Sequence, residues 1–372
     1  MSTVESAVGA GPVRPSAPHR GAWALTWSGV RTVAVLELRQ RVRSTRWIVA
    51  LVVWFVVVGG ITALASGSVS FLSGTGGVAP AGPVIFGFVV FFVLFLGLLV
   101  APTLSATSIN GDRNAGTLAT LQVTLLSAAE IVIGKLAASW VAALAFLGAS
   151  LPFIVWALAA GGVRVMALVA TVLVLALILA VVCAIGLGFS ALTARTSGSA
   201  VLTYLTVAGL SALTLILFGL TVPLVNTHAE VKVYGVENWD SELTPECSWF
   251  SETRTVVHTE RTWWLLALNP FVIVADAAPA TTSSLDPTSF DPLSAIRTGV
   301  RYARTGPEMV VDNCWTQGPG YVSPVPERRL DSAPVWPWGV GAYLLIGAGS
   351  VALAVRRLQI PQKVLPRGTR VA

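Results

Sequence analysis

The sequence has few charged residues: Asp, Glu, Lys and Arg make up 11% of its 372 residues, whereas hydrophobic residues make up 54%. In soluble globular domains about a quarter of the residues are charged. The mean hydropathy of the chain is also positive. This composition excludes an ordinary soluble domain and predicts a protein embedded in a membrane.

The sequence also lacks the motifs of several enzyme classes. It has no phosphate-binding loop of the form G-x-x-x-x-G-K-[ST], no HExxH zinc-protease motif and no GxSxG nucleophile elbow. Its three histidines, His19, His228 and His258, fall outside the long apolar runs, which argues against a proton relay through the membrane. The chain is therefore not expected to hydrolyse ATP itself or to use an ion gradient through buried titratable groups.

Six apolar runs are long enough to form membrane-spanning helices, since about 20 residues cross a hydrocarbon core of about 30 Å. They cover residues 47–65, 84–100, 131–160, 165–192, 200–225 and 335–355. The third and fourth runs are separated by only four residues, which predicts a tight helical hairpin. We therefore expect an all-α integral membrane protein with six transmembrane helices, an N-terminal part at 1–46 and a tail at 356–372.

The charges are distributed unequally along the chain. Residues 226–334 carry 8 basic and 14 acidic side chains, whereas the remainder carries 16 basic and 4 acidic side chains. Because Lys and Arg in short loops are retained in the cytoplasm, both termini and the loop at 101–130 are predicted to be cytoplasmic. Residues 226–334, between spans 5 and 6, are then extracytoplasmic and are called the outer segment. The net charge of +6 reflects this topology and does not indicate nucleic-acid binding.

Arg outnumbers Lys by 21 to 3, and Ala, Val and Gly are abundant. This usage is typical of a GC-rich bacterial genome. We therefore expect a multi-pass protein of the bacterial cytoplasmic membrane.

The outer segment contains two of the three cysteines, Cys247 and Cys314. We expect them to form a disulfide in an oxidising exterior, with two free thiols as the alternative. No four-ligand zinc spacing accompanies them, and no metal site is predicted.

Residues 261–280 form an apolar stretch that is too short to span the membrane. It is either a re-entrant or interfacial hairpin or a buried part of a small outer domain, and its flanks are typical of loops.

The residues before the first span have the pattern of an amphipathic helix. Apolar or small side chains recur every three or four residues at Trp23, Trp27, Val30, Ala34, Leu38 and Val42. The basic residues Arg31, Arg39, Arg41 and Arg43 lie off this stripe, and Arg46 adjoins the first span. The pattern predicts a helix in the cytoplasmic interface with its arginines against anionic headgroups. A charged flank that only fixes orientation is the alternative.

The predicted cytoplasmic loop has more structure than a connector needs. Asn110-Gly111 and Gly116 are turn signals, and from Thr117 onward leucines recur at helical spacing, at Leu118, Leu121 and Leu125. Ser127 and Glu130 have the spacing of a capping box at the start of the third span. Charges in this loop would each cost on the order of 3 kcal/mol at a bilayer centre, so the loop is expected to face water or a protein partner.

The stretch NGDRNAGTLATLQVTLLSAAEIVIGKLAA, residues 110–138, resembles the segment between spans 2 and 3 of permease subunits of type-2 ATP-binding-cassette (ABC) exporters. The matching parts are a charged turn at 112–114, then Gly116-Thr117-Leu118, Leu126-Ser127, Glu130-Ile131 and Gly134-Lys135. The charged turn has one carboxylate fewer than the Glu-Arg-Glu-like turn of the family, and Thr124 stands where the family often has Thr-Pro. The outer segment is also longer than expected for the family.

The resemblance implies that this loop forms a coupling helix that docks on a separate ATP-binding subunit. ATP and Mg²⁺ would then be bound by that partner, and the permease would pair with a second copy or a relative. The residues expected to dock are Asp112, Arg113, Gly116, Thr117, Leu118 and Leu121, with Glu130 and Lys135 positioning the end of the loop. The expected function is export of a cargo, of which a hydrophobic or amphiphilic kind suits the apolar spans.

Two other classes stay open on the sequence. A membrane-embedded enzyme such as a transferase could use acidic residues of the outer segment, namely Asp240, Glu242, Glu246 and Asp276. An accessory or sensory membrane protein with a disulfide-bridged outer domain is the other. Co-purification with an ATP-binding subunit would separate the permease from both.

Overall fold

The computed structural model describes residues 21–73, 81–116, 126–236, 247–278, 291–314, 321–326 and 333–359. The chain is mostly helical, and six of the helices in these ranges are long and apolar enough to cross a membrane. The number of membrane-spanning helices therefore agrees with the prediction.

The first five spans follow one another along the chain, with the longest connection between the second and the third. Helix α1 (Trp27–Val42) precedes the first two spans, α2 (Thr45–Ser73) and α3 (Gly82–Ser105), and a short helix α4 (Asn110–Asn114) follows. The third and fourth spans are α5 (Ala128–Ala159) and α6 (Val165–Leu192). The fifth runs from α7 (Thr196–Ala208) through a π-helical turn (Gly209–Leu213) into α8 (Thr214–Thr221).

The outer segment contains strands as well as helices. Its elements are β1 (Asn226–Gly235), β2 (Ser248–Val257), α9 (Trp264–Ala267), α10 (Pro270–Ala277), α11 (Pro292–Thr305) and β3 (Val310–Asp312). The sixth span, α12 (Trp336–Leu358), comes next.

The fourth span has the predicted bounds, whereas the first extends to residue 73 instead of 65. Its added turns contain serines, and Ser66 and Ser70 donate hydrogen bonds from their hydroxyls to the carbonyls of Thr62 and Ser66. Since these hydroxyls are satisfied within the helix, polar residues do not end it.

The outer segment corrects the all-α prediction, because it holds a three-stranded sheet of order β2-β1-β3. β1 is antiparallel to β2 and parallel to β3. Val231 and Val233 of β1 are buried and Lys232 between them is exposed, which is the two-residue alternation of a half-buried strand. Most of β2 is exposed and β3 has three residues, so no alternating apolar pattern marked them in the sequence.

The disulfide expected between Cys247 and Cys314 is present, with their Cα atoms 5.7 Å apart. Cys247 immediately precedes β2, and Cys314 lies two residues after β3. The bond therefore links the two outer strands of the sheet on either side of β1.

The described part of the apolar stretch 261–280 forms α9 and α10, and α10 packs against α6 and α12. Ile273 is fully buried in the core shared by the spans. Asp276 is also buried, accepting hydrogen bonds from the backbone amides of Val335 (2.5 Å) and Trp336 (2.9 Å) at the start of α12. Part of the stretch therefore lies in the core of the spans, whereas Leu266, Ala267 and Val272 pack in a second cluster with Val300 and Ala303 of α11.

Two spans lie at the edge of the helix bundle. In their most apolar parts, 22% of the residues of the first span and 11% of the fifth are buried, against 56% of the second. Since a single chain leaves these two spans so exposed, their faces are available to lipid or to a second membrane protein.

Candidate functional site

The short helix α4 lies where the predicted coupling loop leaves the second span, and a buried amide anchors it. The Asn110 side chain donates from Nδ2 to Ser199 Oγ (2.7 Å) and accepts at Oδ1 from the hydroxyl of Ser190 (3.1 Å). The same Ser190 hydroxyl accepts from the backbone amides of Ile109 (3.0 Å) and Asn110 (3.1 Å). This hydroxyl uses its one donor and both acceptor positions, so α4 is fixed to α6 and α7.

Three charged residues from three elements meet beside α4. The ammonium of Lys135, on α5, pairs with the carboxylate of Glu37 on α1 and with Asp112 on α4 (Nζ to Oδ2, 2.5 Å). We call Lys135, Glu37 and Asp112 the ion cluster. The Lys135 side chain has no solvent exposure, whereas those of Glu37 and Asp112 are 15% and 29% exposed. Because a buried ammonium is stable only when paired, the cluster holds α1, α4 and α5 together.

The capping box expected at the start of the third span is present and reaches further than the sequence indicated. The Ser127 hydroxyl accepts from the Glu130 amide (3.1 Å), and Glu130 Oε2 accepts from the Ser127 amide (2.8 Å). Glu130 Oε1 also accepts from the amide of Thr26 (2.8 Å) and from its hydroxyl (2.5 Å). Thr26 is the N-cap of α1, so one carboxylate fixes the first turns of both α1 and α5.

Small residues let α1 and α5 approach closely between these polar contacts. A Cβ atom at Gly134 would lie 2.6 Å from the Cβ atom of Val33, and one at Gly29 would lie 2.7 Å from the carboxyl carbon of Glu130. Both distances are shorter than non-bonded carbon atoms allow. The Gly134-Lys135 pair therefore combines a close helix contact with the buried charge of the ion cluster.

Of the residues expected to dock a partner, Asp112 and Arg113 lie in α4, and Arg113 is exposed. Gly116 ends this described range with φ +73°, a left-handed conformation that glycine adopts without strain. Thr117, Leu118 and Leu121, with the leucine-rich helix predicted around them, lie outside the described residues.

Glu130 and Lys135, which the sequence places in the same docking set, are fully buried inside the chain. The sequence predicts that their charges face water or a partner. In the structure they do not, because the chain itself supplies their hydrogen-bonding partners. They therefore act by holding α1 and α4 on α5 and do not offer a surface to another protein.

The arginines of α1 also differ from the simple amphipathic pattern. Arg39 on α1, Arg43 directly after it and Arg46 in the first turn of α2 are exposed, as a headgroup contact requires. Arg41 instead points toward the spans, where its Nη2 donates to the carbonyl of Leu104 (2.8 Å) and to Ser139 Oγ (3.2 Å). The Leu104 carbonyl near the end of α3 accepts from this guanidinium and from the Ser139 hydroxyl. The residue pattern of α1 contains no information about these partners.

The acidic residues of the rival enzyme hypothesis are not brought together by the part of the chain that the structure describes. Asp276 Oδ1 accepts from Arg301 Nε (2.7 Å), and its Oδ2 binds the start of α12, so the carboxylate is occupied in holding three elements together. Asp240, Glu242 and Glu246 lie outside the described residues. No cluster of three or more possible metal ligands occurs within the described ranges.

Residues 31–308 match the family model described as "ABC-2 family transporter protein". The chain belongs to this family. The match covers well over half of the chain and includes most of α1, the first five spans and the whole predicted coupling loop. No curated protein matches the chain.

Membership makes the chain a membrane permease of the ABC-2 type. The permease is the membrane-spanning part of an ABC transporter. Membership of the family implies an ATP-binding subunit as its partner. The given sequence contains no G-x-x-x-x-G-K-[ST] phosphate-binding loop.

Two features of this site had no signal in the sequence. Glu37 lies in a helix whose other charges are basic, and nothing in the local pattern indicates that it pairs with a lysine 98 residues away. The Asn-Gly pair predicts a turn at Asn110, whereas in the structure the Asn110 side chain is buried. In both cases the partner residue comes from another helix.

Proposed function

We propose that this permease exports its cargo, driven by ATP hydrolysis in a separate subunit that docks on the loop at 110–130. ATP and Mg²⁺ are bound in that subunit. The observation that carries the proposal is the set of contacts at α4: a helix of five residues is tied to α1 and α5 by the ion cluster and to α6 and α7 by Asn110.

A force applied to the exposed side of α4 reaches four helices through these contacts. Arg113 is exposed and adjoins Asp112 of the ion cluster. A partner that binds Arg113 and the residues from 117 onward therefore moves the end of α3 together with α1 and α5. In this proposal Asp112, Arg113, Gly116, Thr117, Leu118 and Leu121 form the docking surface, and Glu130 and Lys135 transmit its movement.

We place both termini and this loop in the cytoplasm of a bacterium and the outer segment outside. The unequal distribution of basic residues supports this orientation. The disulfide in the outer segment also supports it, because disulfides persist in oxidising compartments. The permease works as a pair, with a second copy or a related chain, and the exposed faces of its first and fifth spans leave room for that contact.

A hydrophobic or amphiphilic cargo suits a second feature of the spans. A cavity of about 490 Å³ lies between the second and fifth spans and α10, and it is lined almost entirely by apolar groups such as Phe91, Leu98, Leu215 and Phe271. Its volume lies within the range of about 300–1,000 Å³ typical of small-molecule sites. Replacing Leu215 by Trp should reduce ATP-dependent efflux of an amphiphilic dye while the ATPase subunit stays bound, and unchanged efflux would contradict this cargo class.

The docking proposal is tested by replacing Arg113 or Leu118 with Ala in the permease expressed with its ATP-binding subunit. Each variant should insert normally but retain less of the ATPase subunit on purification, or hydrolyse ATP without transport. The matched control is Arg164→Ala, because Arg164 is also exposed but lies in the turn between α5 and α6, on the predicted outer side. If both loop variants kept the association and transport of the wild type, the docking surface would lie elsewhere.

A further inference from the structure

A second cavity, of about 830 Å³, lies between the second half of α1 and the facing sides of α2 and α3. Its size is again that of a small-molecule site. It differs from the cavity beside the fifth span, with which it shares only Leu99. Its other lining residues come from α1, α2, the C-terminal half of α3 and the residues after it as far as Asp112, with Phe146 of α5. Apart from Asp112 and Leu99, its lining residues belong neither to the docking surface nor to the proposed cargo cavity.

The lining of this cavity changes from polar to apolar along the length of α2. At the level of α1 it is lined by Gln40, Arg41, Ser44 and Arg46. Deeper among the spans it is lined by Trp54, Val57, Val100 and Phe146. Such a cavity fits a molecule with a polar head and an apolar chain, because neither a small ion nor a hydrocarbon alone would satisfy both ends.

The charges at the polar end favour an anionic head. Glu37 and Asp112 also line the cavity, but both are paired with Lys135. Arg41 and Arg46 form no salt bridge among the described residues, although the Glu37 carboxylate one turn earlier also attracts Arg41. Arg41 has in addition a buried Nη1 that donates no hydrogen bond within the described part of the chain.

A guanidinium is rarely left with an unused buried donor, because losing its hydrogen bonds to water is costly. The polar end holds three positive groups, on Arg41, Arg46 and Lys135. The two carboxylates of Glu37 and Asp112 oppose them, which leaves one positive charge in excess. Phosphate oxygens are acceptors that suit a guanidinium in both charge and geometry.

The side of the cavity opens between the first and second spans. Val53 and Leu99 line it and are 54% and 44% exposed. These side chains face the region that hydrocarbon occupies around a spanning helix, so a lipid can enter sideways without passing through water. The polar end lies at the level of α1, the helix that we place in the membrane interface, where lipid headgroups lie.

We propose that this cavity binds one anionic phospholipid from the leaflet in which α1 lies. Its phosphate contacts Arg41 and Arg46, and one acyl chain lies along Trp54, Val100 and Phe146. The proposal does not depend on the direction of transport, on the cargo or on docking of the ATPase subunit, because it concerns binding to the permease alone.

Two pairs of variants test the two ends of the site. Arg41→Gln removes the charge at the cavity, and Arg39→Gln removes an exposed charge of the same helix that does not line it. Val53→Trp fills the side opening, and Val49→Trp adds the same bulk one turn earlier in α2, at a residue that is also 54% exposed but does not line the cavity.

The measurement is native mass spectrometry of the delipidated full-length permease after titration with phosphatidylglycerol, with zwitterionic phosphatidylcholine or with inorganic phosphate. The wild type should retain one phosphatidylglycerol per chain in preference to phosphatidylcholine. Arg41→Gln and Val53→Trp should each weaken this retention about tenfold, as expected for the loss of a charge-assisted hydrogen bond or of the chain site. Arg39→Gln and Val49→Trp should behave as the wild type.

Several results would overturn the proposal. Equal retention of the two lipids would show that the head charge is not recognised, and an equal loss in Arg39→Gln and Arg41→Gln would indicate general attraction to the basic helix. Binding of inorganic phosphate that Val53→Trp leaves intact would identify a site for a free anion. A cavity that retains no lipid, together with loss of a permease dimer in Val53→Trp, would identify a second copy as the occupant.

Discussion

Replacing Lys135 by Met is expected to lower the free energy of unfolding of the permease by about 3 kcal/mol. The Lys135 side chain is fully buried and pairs with both Glu37 and Asp112. Met has a similar length and no charge, so the apolar part of the site stays filled. The main effect is that two carboxylates, which come from α1 and α4, lose the ammonium that neutralises them.

The size of the effect follows from the exposure of these three groups. Breaking a buried ion pair by removing one partner costs about 3–5 kcal/mol, because the other charge is left without compensation. Water reaches the remaining carboxylates in part, since the Glu37 and Asp112 side chains are 15% and 29% exposed. The lower end of the range is therefore expected.

Unfolding of the purified permease with increasing SDS in mixed micelles, followed by tryptophan fluorescence, measures this change. Lys232→Met is the matched control, because Lys232 is exposed on β1 and its replacement should change stability by less than about 0.5 kcal/mol. The triple variant K135M/E37Q/D112N should recover most of the loss, since it leaves no unpaired charge. Equal stabilities of the two Met variants, or a triple variant less stable than K135M, would refute the role given to the ion cluster.

Three further predictions concern other contacts. Replacing Cys247 and Cys314 by Ser should lower the stability of the oxidised protein by about 4 kcal/mol, the value for a closed loop of 67 residues, whereas the same change under reducing conditions should have little effect. Burial raises the pKa of Asp291, at the N-cap of α11, to about 6. The folded chain thus disfavours the ionised form, so the melting temperature of D291N should exceed that of the wild type at pH 7 and the difference should shrink as the pH falls from 6 to 4. Gly134→Ala should cost about 1–3 kcal/mol in the same SDS assay, because its Cβ atom would meet α1, whereas Gly148→Ala, with open space around it on the same helix, should not destabilise.

The membrane-spanning helices could be predicted because their signal is local. A run such as 165–192 is apolar throughout, and any helix of that length must be buried in hydrocarbon or protein whatever its neighbours are. The capping box at Ser127 and Glu130 is also local, since both hydrogen bonds join residues three apart.

The structure of the outer segment was harder to predict because it depends on contacts between residues that are far apart in the sequence. β3 has three residues and pairs with β1 far earlier in the chain, and Cys314 joins it to the start of β2. A three-residue strand has no periodicity that a sequence can display. The same holds for Asp276, whose partners Val335 and Trp336 belong to the last span.

The candidate site could be predicted from the sequence only in part. The resemblance in the loop pointed to Asp112 and Lys135, and the structure brings these two residues together. It did not point to Glu37, which completes the ion cluster, or to Arg41, whose guanidinium contacts the end of α3. Docking through Thr117, Leu118 and Leu121 stays a prediction.

By itself, the sequence determined that this chain lies in a membrane and crosses it with six helices. Hydrophobicity summed over about 20 residues is enough for that, because the bilayer acts on each helix separately. Only the tertiary structure decided how the few charges are used: Lys135 pairs with Glu37, 98 residues away, while Arg41 lines a cavity with a donor left over. A buried charge depends on which side chains lie within a few ångströms, and that is set by helix packing and not by any local pattern.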